Sequence, residues 1–529
     1  MRSTFHGIEV AKRSLFTQQA ALQTTGHNIA NANTRGYSRQ VVNMVASRPI
    51  EAVGMSRSNV PGQLGMGVEF SSITRVRERF LDDQFHNENK SLGSWSVQSD
   101  TLEKLETIVN EPSDTGLRSV IDNFWKSWSD LSNDPLSVTG RKIVRENAIA
   151  LADAFNLTSK QLSDLHSDLT NSLNVKATQI SSIASTIANL NSEIQRIEGL
   201  GDNANDLRDQ RDVLTDDLSK IVNIQVVETQ QGYTITMGGT TLVAGGAATN
   251  IAASTLESAF SSGDLNSGEA YGIIVSRDRY VADYQKQLDI LANTIATGEV
   301  QITIPAGSVL PDNTVLQVVQ PDGSVQAITF TGANRTLTSD TTVVVNGLNG
   351  LHKLGYTFKD PLTPGEDFFT AKTGTDITAA TIQLNPAIAA DSSMVASSMR
   401  TIVTGTTEEV VKGNNTLALL VSQLRETKFE YDLNTSGVSM DQGTIDDFYR
   451  SMVGQLGVQT SEANRQLSNQ KALVDQVDSR RQSVSGVSLD EEMANLIKFQ
   501  HAYAAAARMM TTFDQLLDKV INGMGIVGR

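Results

Sequence analysis

Leu489-Asp490-Glu491-Glu492-Met493-Ala494-Asn495-Leu496-Ile497-Lys498-Phe499 opens the stretch whose reading decides the fold. From Leu489 onward, Leu496, Tyr503, Met510 and Leu517 return every seven positions, with Met493, Ala507 and Ile521 at the companion position. On a helix this spacing gives one narrow apolar stripe, the seam of a coiled coil and too little for a core of its own. Gln500 and Asp514 interrupt the companion row, so the seam is weak. The other end of the chain carries a matching pattern. Ile8, Leu15, Leu22 and Ile29 recur at the same interval, and a turn built on Asn28, Asn31, Asn33, Gly36 and Tyr37 then stops the helix. An isolated amphipathic helix gains little stability until its stripe is covered. The two ends are therefore expected to cover each other, or to be covered by neighbouring copies.

Working inward, helix is expected from about 81 to 220, with breaks at Glu111-Pro112 and Asp134-Pro135. Its strongest segment sets Ile180, Ile187 and Ile194 against Ile183, Leu190 and Ile197. Gly199 and Gly201 end that helix, and Asp206 is expected to cap the next. Helix returns near Asn415, where Val453, Thr460, Leu467 and Val474 alternate with Leu456, Ala463, Gln470 and Val477. Between these blocks the texture is β-rich. Short runs such as Tyr233-Thr234-Ile235-Thr236, Thr314–Val319 and Thr342–Val345 are separated by Gly and Pro-Asp turns, and one helix spans Arg279–Thr297. The fold class expected is α+β and multidomain: an elongated α-helical, coiled-coil stem formed by both chain ends, with β-rich middle domains inserted. The expected divisions are 1–60 with 486–529 as a terminal assembly region, 61–220 with 406–485 as a helical stem, and 221–405 as a β-rich outer domain. That last domain would hold the helix at 279–297 and a small β module at about 299–345.

Composition narrows the function. With 529 residues, several domains are expected. The net charge of −16 argues against nucleic acid, since phosphate contacts need an excess of Lys and Arg. The chain has no cysteine, which removes disulfides, thiolate metal sites and thiol nucleophiles and suits export through compartments of different redox state. No stretch is long and apolar enough for a membrane span or a cleaved signal. The six histidines are scattered, with no His-x-x-x-His pair, and His352 reads as a structural turn residue. Gly238-Gly239 and Gly245-Gly246 fit turns rather than a phosphate loop. Asn203, Asn205 and Asp209 suggest helix capping more than a calcium loop, which would need a central Gly and a terminal Glu. Asp490, Glu491 and Glu492 complement a helix dipole. No catalytic residue, metal or cofactor is expected, and the chain is not read as an enzyme.

Four segments carry a family resemblance. Ala20 to Tyr37, with Asn28-Ile29-Ala30-Asn31 leading to Gly36-Tyr37, resembles the N-terminal signature of flagellar rod, hook and hook-associated axial proteins. Ser38-Arg39-Gln40 and Asp206-Leu207-Arg208-Asp209-Gln210-Arg211-Asp212 are similar to the hook-associated branch. So are Gln287–Ala292, the pattern Asn349-x-x-His352-x-x-Gly355 and Ser485–Leu496, continued by Phe499, Gln500 and Tyr503. In the short form of the family the helix at Gln287 runs straight into that Asn–His–Gly pattern, so the residues between them look like an inserted module. The resemblance implies a structural subunit at the hook–filament junction, secreted by the flagellar type III apparatus after a transient cytoplasmic stage. Its implied partners are other copies of itself in a ring, hook protein, hook-associated protein 3, and a cytoplasmic export chaperone on the C-terminal helix. It implies assembly roles for Ile8, Leu15, Leu22 and Ile29, and assembly and chaperone roles for Leu489, Met493, Leu496, Phe499, Tyr503, Met510 and Leu517. Other readings remain open: hook protein, a rod protein or hook-associated protein 3, or a secreted adhesin or hydrolase in the β-rich middle.

Overall fold

The computed structural model describes residues 5–49, 65–110, 116–404, 407–431 and 440–523. The break expected at Glu111-Pro112 and the domain boundaries expected at 60/61 and 405/406 lie outside them. The helices are α1 (His6–Ala30), α2 (Arg79–Val109), α3 (Leu117–Asn133), α4 (Val138–Glu198), α5 (Asn205–Ile221), α6 (Ala253–Ser262), α7 (Glu269–Val275), α8 (Ala282–Thr297), α9 (Gly347–His352), α10 (Pro386–Ala390), α11 (Thr416–Gln423), α12 (Ile445–Ser485) and α13 (Leu489–Gly523). Among the described residues, no helix is long and apolar enough to cross a membrane. Strands fill the middle, so the class is α+β with long helices at both ends.

By packing, the chain divides into two compact units: Met1–Ser96, Leu173–Gly272 and Leu467–Arg529 in one, Val97–Ser172 and Ile273–Gln466 in the other. The first holds the hairpin β1 (Gln40–Ala46) and β2 (Val68–Arg75), antiparallel with an irregularity at Asn43/Met44. It also holds the antiparallel meander β3 (Gln225–Thr229), β4 (Gly232–Met237), β5 (Thr240–Ala244) and β6 (Ala247–Ala248). This meander lies against α4. The buried row of α4 here is Leu173, Ala177, Ile180, Ala184, Ile187, Asn191 and Ile194, whereas Ile183 and Ile197 of the expected companion row are only half-buried. Ala177 and Ala184 alternate with larger residues in that buried row. Asn191 donates to the carbonyls of Tyr233 and Gly245 at 3.0 and 2.8 Å and accepts from the Tyr233 amide at 3.0 Å. Gly232, at φ +102°, leaves no room for a Cβ against Asn191.

In the second unit, β7 (Glu299–Ile304), β8 (Thr314–Val319), β9 (Val325–Phe330) and β10 (Thr341–Asn346) form one antiparallel sheet in the order β7-β10-β8-β9. Tyr284, Leu288, Leu291 and Ile295 of α8 are all buried, and a π-type turn at Ser276–Val281 precedes that helix. The Asn–His–Gly pattern explains itself locally. Asn349 clamps the Phe369 backbone with two 2.8 Å bonds, and Gly355 stands where a Cβ would strike Leu417. His352 is buried. Its Nε2 accepts from the Ala396 amide at 2.9 Å, so Nδ1 carries the proton and donates to the Glu366 carbonyl at 2.6 Å. Burial lowers this imidazole to about 4.

Candidate assembly site at the chain ends

Helix α1 is covered on two sides. On one, the hairpin β1–β2 reaches it through Arg13, which bonds Ser47 and lies 3.4 Å from Glu69, and through Thr17, which donates to the Val68 carbonyl. On the other lies α13, running antiparallel. Gly7 sits against the ring of Phe513 so closely that a Cβ there would lie 2.4 Å from it, and Asn28 meets Glu492 at the far end. Both contacts are 21 residues apart on each helix, Gly7 to Asn28 and Glu492 to Phe513, which is three heptads.

Covering both sides changes which residues lie deepest. Ala11, Thr17, Ala21, Thr24, Thr25 and Asn28 are buried, while Ile8, Leu15, Leu22 and Ile29 are half-buried along the margin. Close approach of two elements favours small side chains between them and leaves large ones to flank the contact. On α13, Glu492 and Ala506 are buried and Leu496, Phe499, Met510 and Leu517 are half-buried. Leu489, Met493 and Tyr503 are exposed, at 48, 58 and 39%, as are Ile497, Leu516 and Ile521. The helix thus keeps an apolar face that nothing among the described residues covers.

The turn after α1 is where the separate sequence signals converge. Asn28 satisfies its whole amide: Nδ2 donates to the Gln40 carbonyl at 2.9 Å and to Glu492 Oε2 at 3.0 Å, while Oδ1 accepts from Tyr37 Oη at 2.8 Å and the Gln40 amide at 3.0 Å. His27 Nδ1 donates in turn to the Tyr37 oxygen at 2.9 Å. Asn31 bonds back to the His27 carbonyl and accepts from Thr34, and Asn33 is exposed. Gly36, at φ +78°, packs where a Cβ would lie 2.0 Å from Val213 of α5. Arg39 faces Glu491 at 2.7 Å and Glu492 at 3.2 Å, and its amide donates to the Ser485 carbonyl. Glu492 thus contributes a buried contact as well as a charge near a helix start.

Helix α5 supplies the anions beneath this turn. Asp209 accepts from the Ser38 amide at 2.9 Å and from Arg75 at 2.6 Å, and Asp212 takes Arg75 at 2.8 Å and Tyr233 Oη at 2.7 Å. Arg77 bridges Asp82 and Asp212, and Asp216 takes His86 at 2.9 Å and Arg481 at 2.7 Å. Burial alone would push Asp212 up, but Arg77 and Arg75 outweigh it and hold the carboxyl below its ordinary value. Asp216 is likewise held down against burial by His86 and Arg481. Asp209 goes the other way, burial prevailing over Arg75. The capping expected of this segment is corrected: Ala204 is the N-cap residue of α5 and no side chain caps it. Asn203 and Asn205 instead donate to the Ile73 carbonyl on β2, and Gln40 bonds Asp206 at 2.8 Å. No group of His, Asp and Glu among the described residues could hold a metal ion.

This arrangement joins the N-terminal turn, the Asp206–Asp212 segment and the start of α13 in one polar network, and the comparisons with known proteins match the same pieces. A model described as the flagellar hook-associated protein FlgK helical domain matches residues 102–299. The flagella basal body rod protein model matches 8–37, and the flagellar basal body rod FlgEFG protein C-terminal model matches 479–523. Flagellar hook-associated protein 1 of Bacillus subtilis is 33% identical over the full length of both chains. The chain belongs to the flagellar hook-associated protein 1 family. The Salmonella typhimurium member is 26% identical, over 97% of this chain and 99% of its own. The solved flagellar hook junction protein FlgK from Burkholderia pseudomallei shares the fold, with a TM-score of 0.51 at 16% identity over 76% of this chain and all of that one. Hook-associated family membership makes this a structural protein of the bacterial flagellum.

Proposed function

We propose that this subunit joins hook to filament as a non-catalytic adapter, and that the outer face of α13 is its assembly surface. The observation that carries the reading is the exposure of Leu489, Met493, Ile497, Leu516 and Ile521 on a helix whose other side is already covered by α1. Large apolar side chains left exposed together on one helix mark a surface awaiting a partner. During export the same face is taken by a cytoplasmic chaperone, and the cysteine-free chain passes unfolded through the type III apparatus. At the hook tip it is buried instead against neighbouring copies, hook protein and hook-associated protein 3. The two occupants exclude each other, so α13 is shielded until it is outside the cell.

Met493→Asp with Leu516→Asp tests this. Both side chains are exposed, so the α1–α13 contact is left in place. In cells lacking the native protein, the variant should leave hooks without filaments and release filament subunits into the medium, while the purified variant keeps native hydrogen-exchange protection along α13. Normal filaments from such cells would refute the assembly role.

A further inference from the structure

We propose that two contacts at opposite ends of the α1–α13 pair select its register: the Asn28–Glu492 hydrogen bond and the seat of Phe513 on Gly7. The inference concerns the pairing within one chain and does not depend on the junction role.

The seam between the two helices does not choose a register by itself. Its apolar residues recur every seven positions on both helices, and the deep positions of α1 are small (Ala11, Ala21, Thr24, Thr25). Sliding α13 by one heptad returns apolar to apolar, so the cost of misalignment must come from residues that break the repeat. Two do. In the observed register Gly7 faces Phe513 and Asn28 faces Glu492, and equal steps place Ser14 opposite Ala506. A slide in one direction brings Ser14 against Phe513, where even the Cβ of residue 7 would lie 2.4 Å from the ring, and removes Glu492 from Asn28. A slide the other way sets Ala21, a bare methyl, against the buried Glu492 carboxylate. That carboxylate then loses the Asn28 donor, and Asn28 Nδ2 loses one of its two acceptors. A buried polar pair in an otherwise uniform seam favours one alignment because every other alignment leaves it unpaired.

The natural chain has no cysteine, so introduced pairs are its only thiols. In the full-length protein, Ser14→Cys with Ala506→Cys reports the observed register, and Ala21→Cys with Ala506→Cys reports a slide of one heptad. Mild oxidation of the monomer should link 14 to 506 within one chain, with 21–506 linking at least tenfold less. Adding Glu492→Leu and Phe513→Ala, which leave the other three bonds of Asn28 in place, should raise 21–506 to a yield comparable with 14–506. The proposal is overturned if 21–506 links equally well in the native background. It is overturned if the altered seam still links only 14–506. It also fails if neither pair links in the altered seam, since the two contacts would then hold the helices together rather than align them. Absence of the 14–506 link in the native background refutes the pairing itself.

Discussion

Asn28 Nδ2 donates to Glu492 Oε2 at 3.0 Å, although 464 residues of chain separate the two. Each residue is at most 2% exposed, so neither can turn to water if the other is lost. Asn28→Asp replaces the two donors by an acceptor and sets a second carboxylate against the first. Breaking a buried charged contact in this way costs about 3–5 kcal/mol. The expected outcome is loss of amide protection across α13 with the second unit unaffected, read by hydrogen exchange. Unchanged protection of residues 489–506 would contradict the role given to this pair.

Gly36→Ala meets two separate obstacles. The φ of +78° is unfavourable for any L side chain, by about 1–2 kcal/mol, and the new methyl would overlap Val213 Cγ2 at 2.0 Å. A total of about 2–4 kcal/mol is expected in urea unfolding. Val213→Ala in the same chain should recover the steric share alone. A double-mutant cycle therefore shows coupling and a residual loss of about 1–2 kcal/mol that Val213 does not touch.

Burial holds His352 at about 4 in the folded chain, below its ordinary 6.5. The unfolded chain therefore binds the proton more readily. The stability this histidine contributes is complete above pH 6.5 and drains away as pH falls toward 4. The loss over that window is about 3 kcal/mol. His352→Gln should be less stable at neutral pH but show a flatter acid limb, measured as urea midpoints at pH 7, 5 and 4. An unaltered limb would assign the acid sensitivity elsewhere.

Asp212 is the shared anion of Arg75, Arg77 and Tyr233. Asp212→Asn keeps the shape but leaves two largely buried cations with less charge than they need, at a cost of about 3 kcal/mol. Because its carboxyl is held below the ordinary range, its contribution is present above about pH 4 and is lost as pH falls through the depressed value. The variant should unfold earlier than the native chain at pH 7 and approach it as the pH falls through that depressed value.

The long helices were legible because apolar period is a local signal. So were the strands of the middle, whose β-branched runs sit between Gly and Pro-Asp turns. The deep residues of the seam were not. Heptad reading favours the large side chains Ile8, Leu15, Leu22 and Ile29, yet close packing on two sides sends Ala11, Ala21 and Thr25 to the centre. The hairpin Gln40–Ala46 with Val68–Arg75 was missed, since its burial pattern does not alternate cleanly. Sequence reading gives Asp209 a capping role, Glu492 a dipole role and Asp212 only a place in a family motif. Nothing in their own neighbourhoods reveals partners hundreds of residues away.

Glu492 also lets the fold register its own completeness. The Gln40 amide and carbonyl, the Tyr37 hydroxyl and the Asn28 amide form one knot near the start of the chain, and its last acceptor arrives on α13. A product truncated before residue 492 would have every residue of that knot but one, with a donor left over beneath an uncovered helix. Such a fragment should show faster exchange at Gln40–Ala46 than the full chain, making premature termination visible at the opposite end of the sequence.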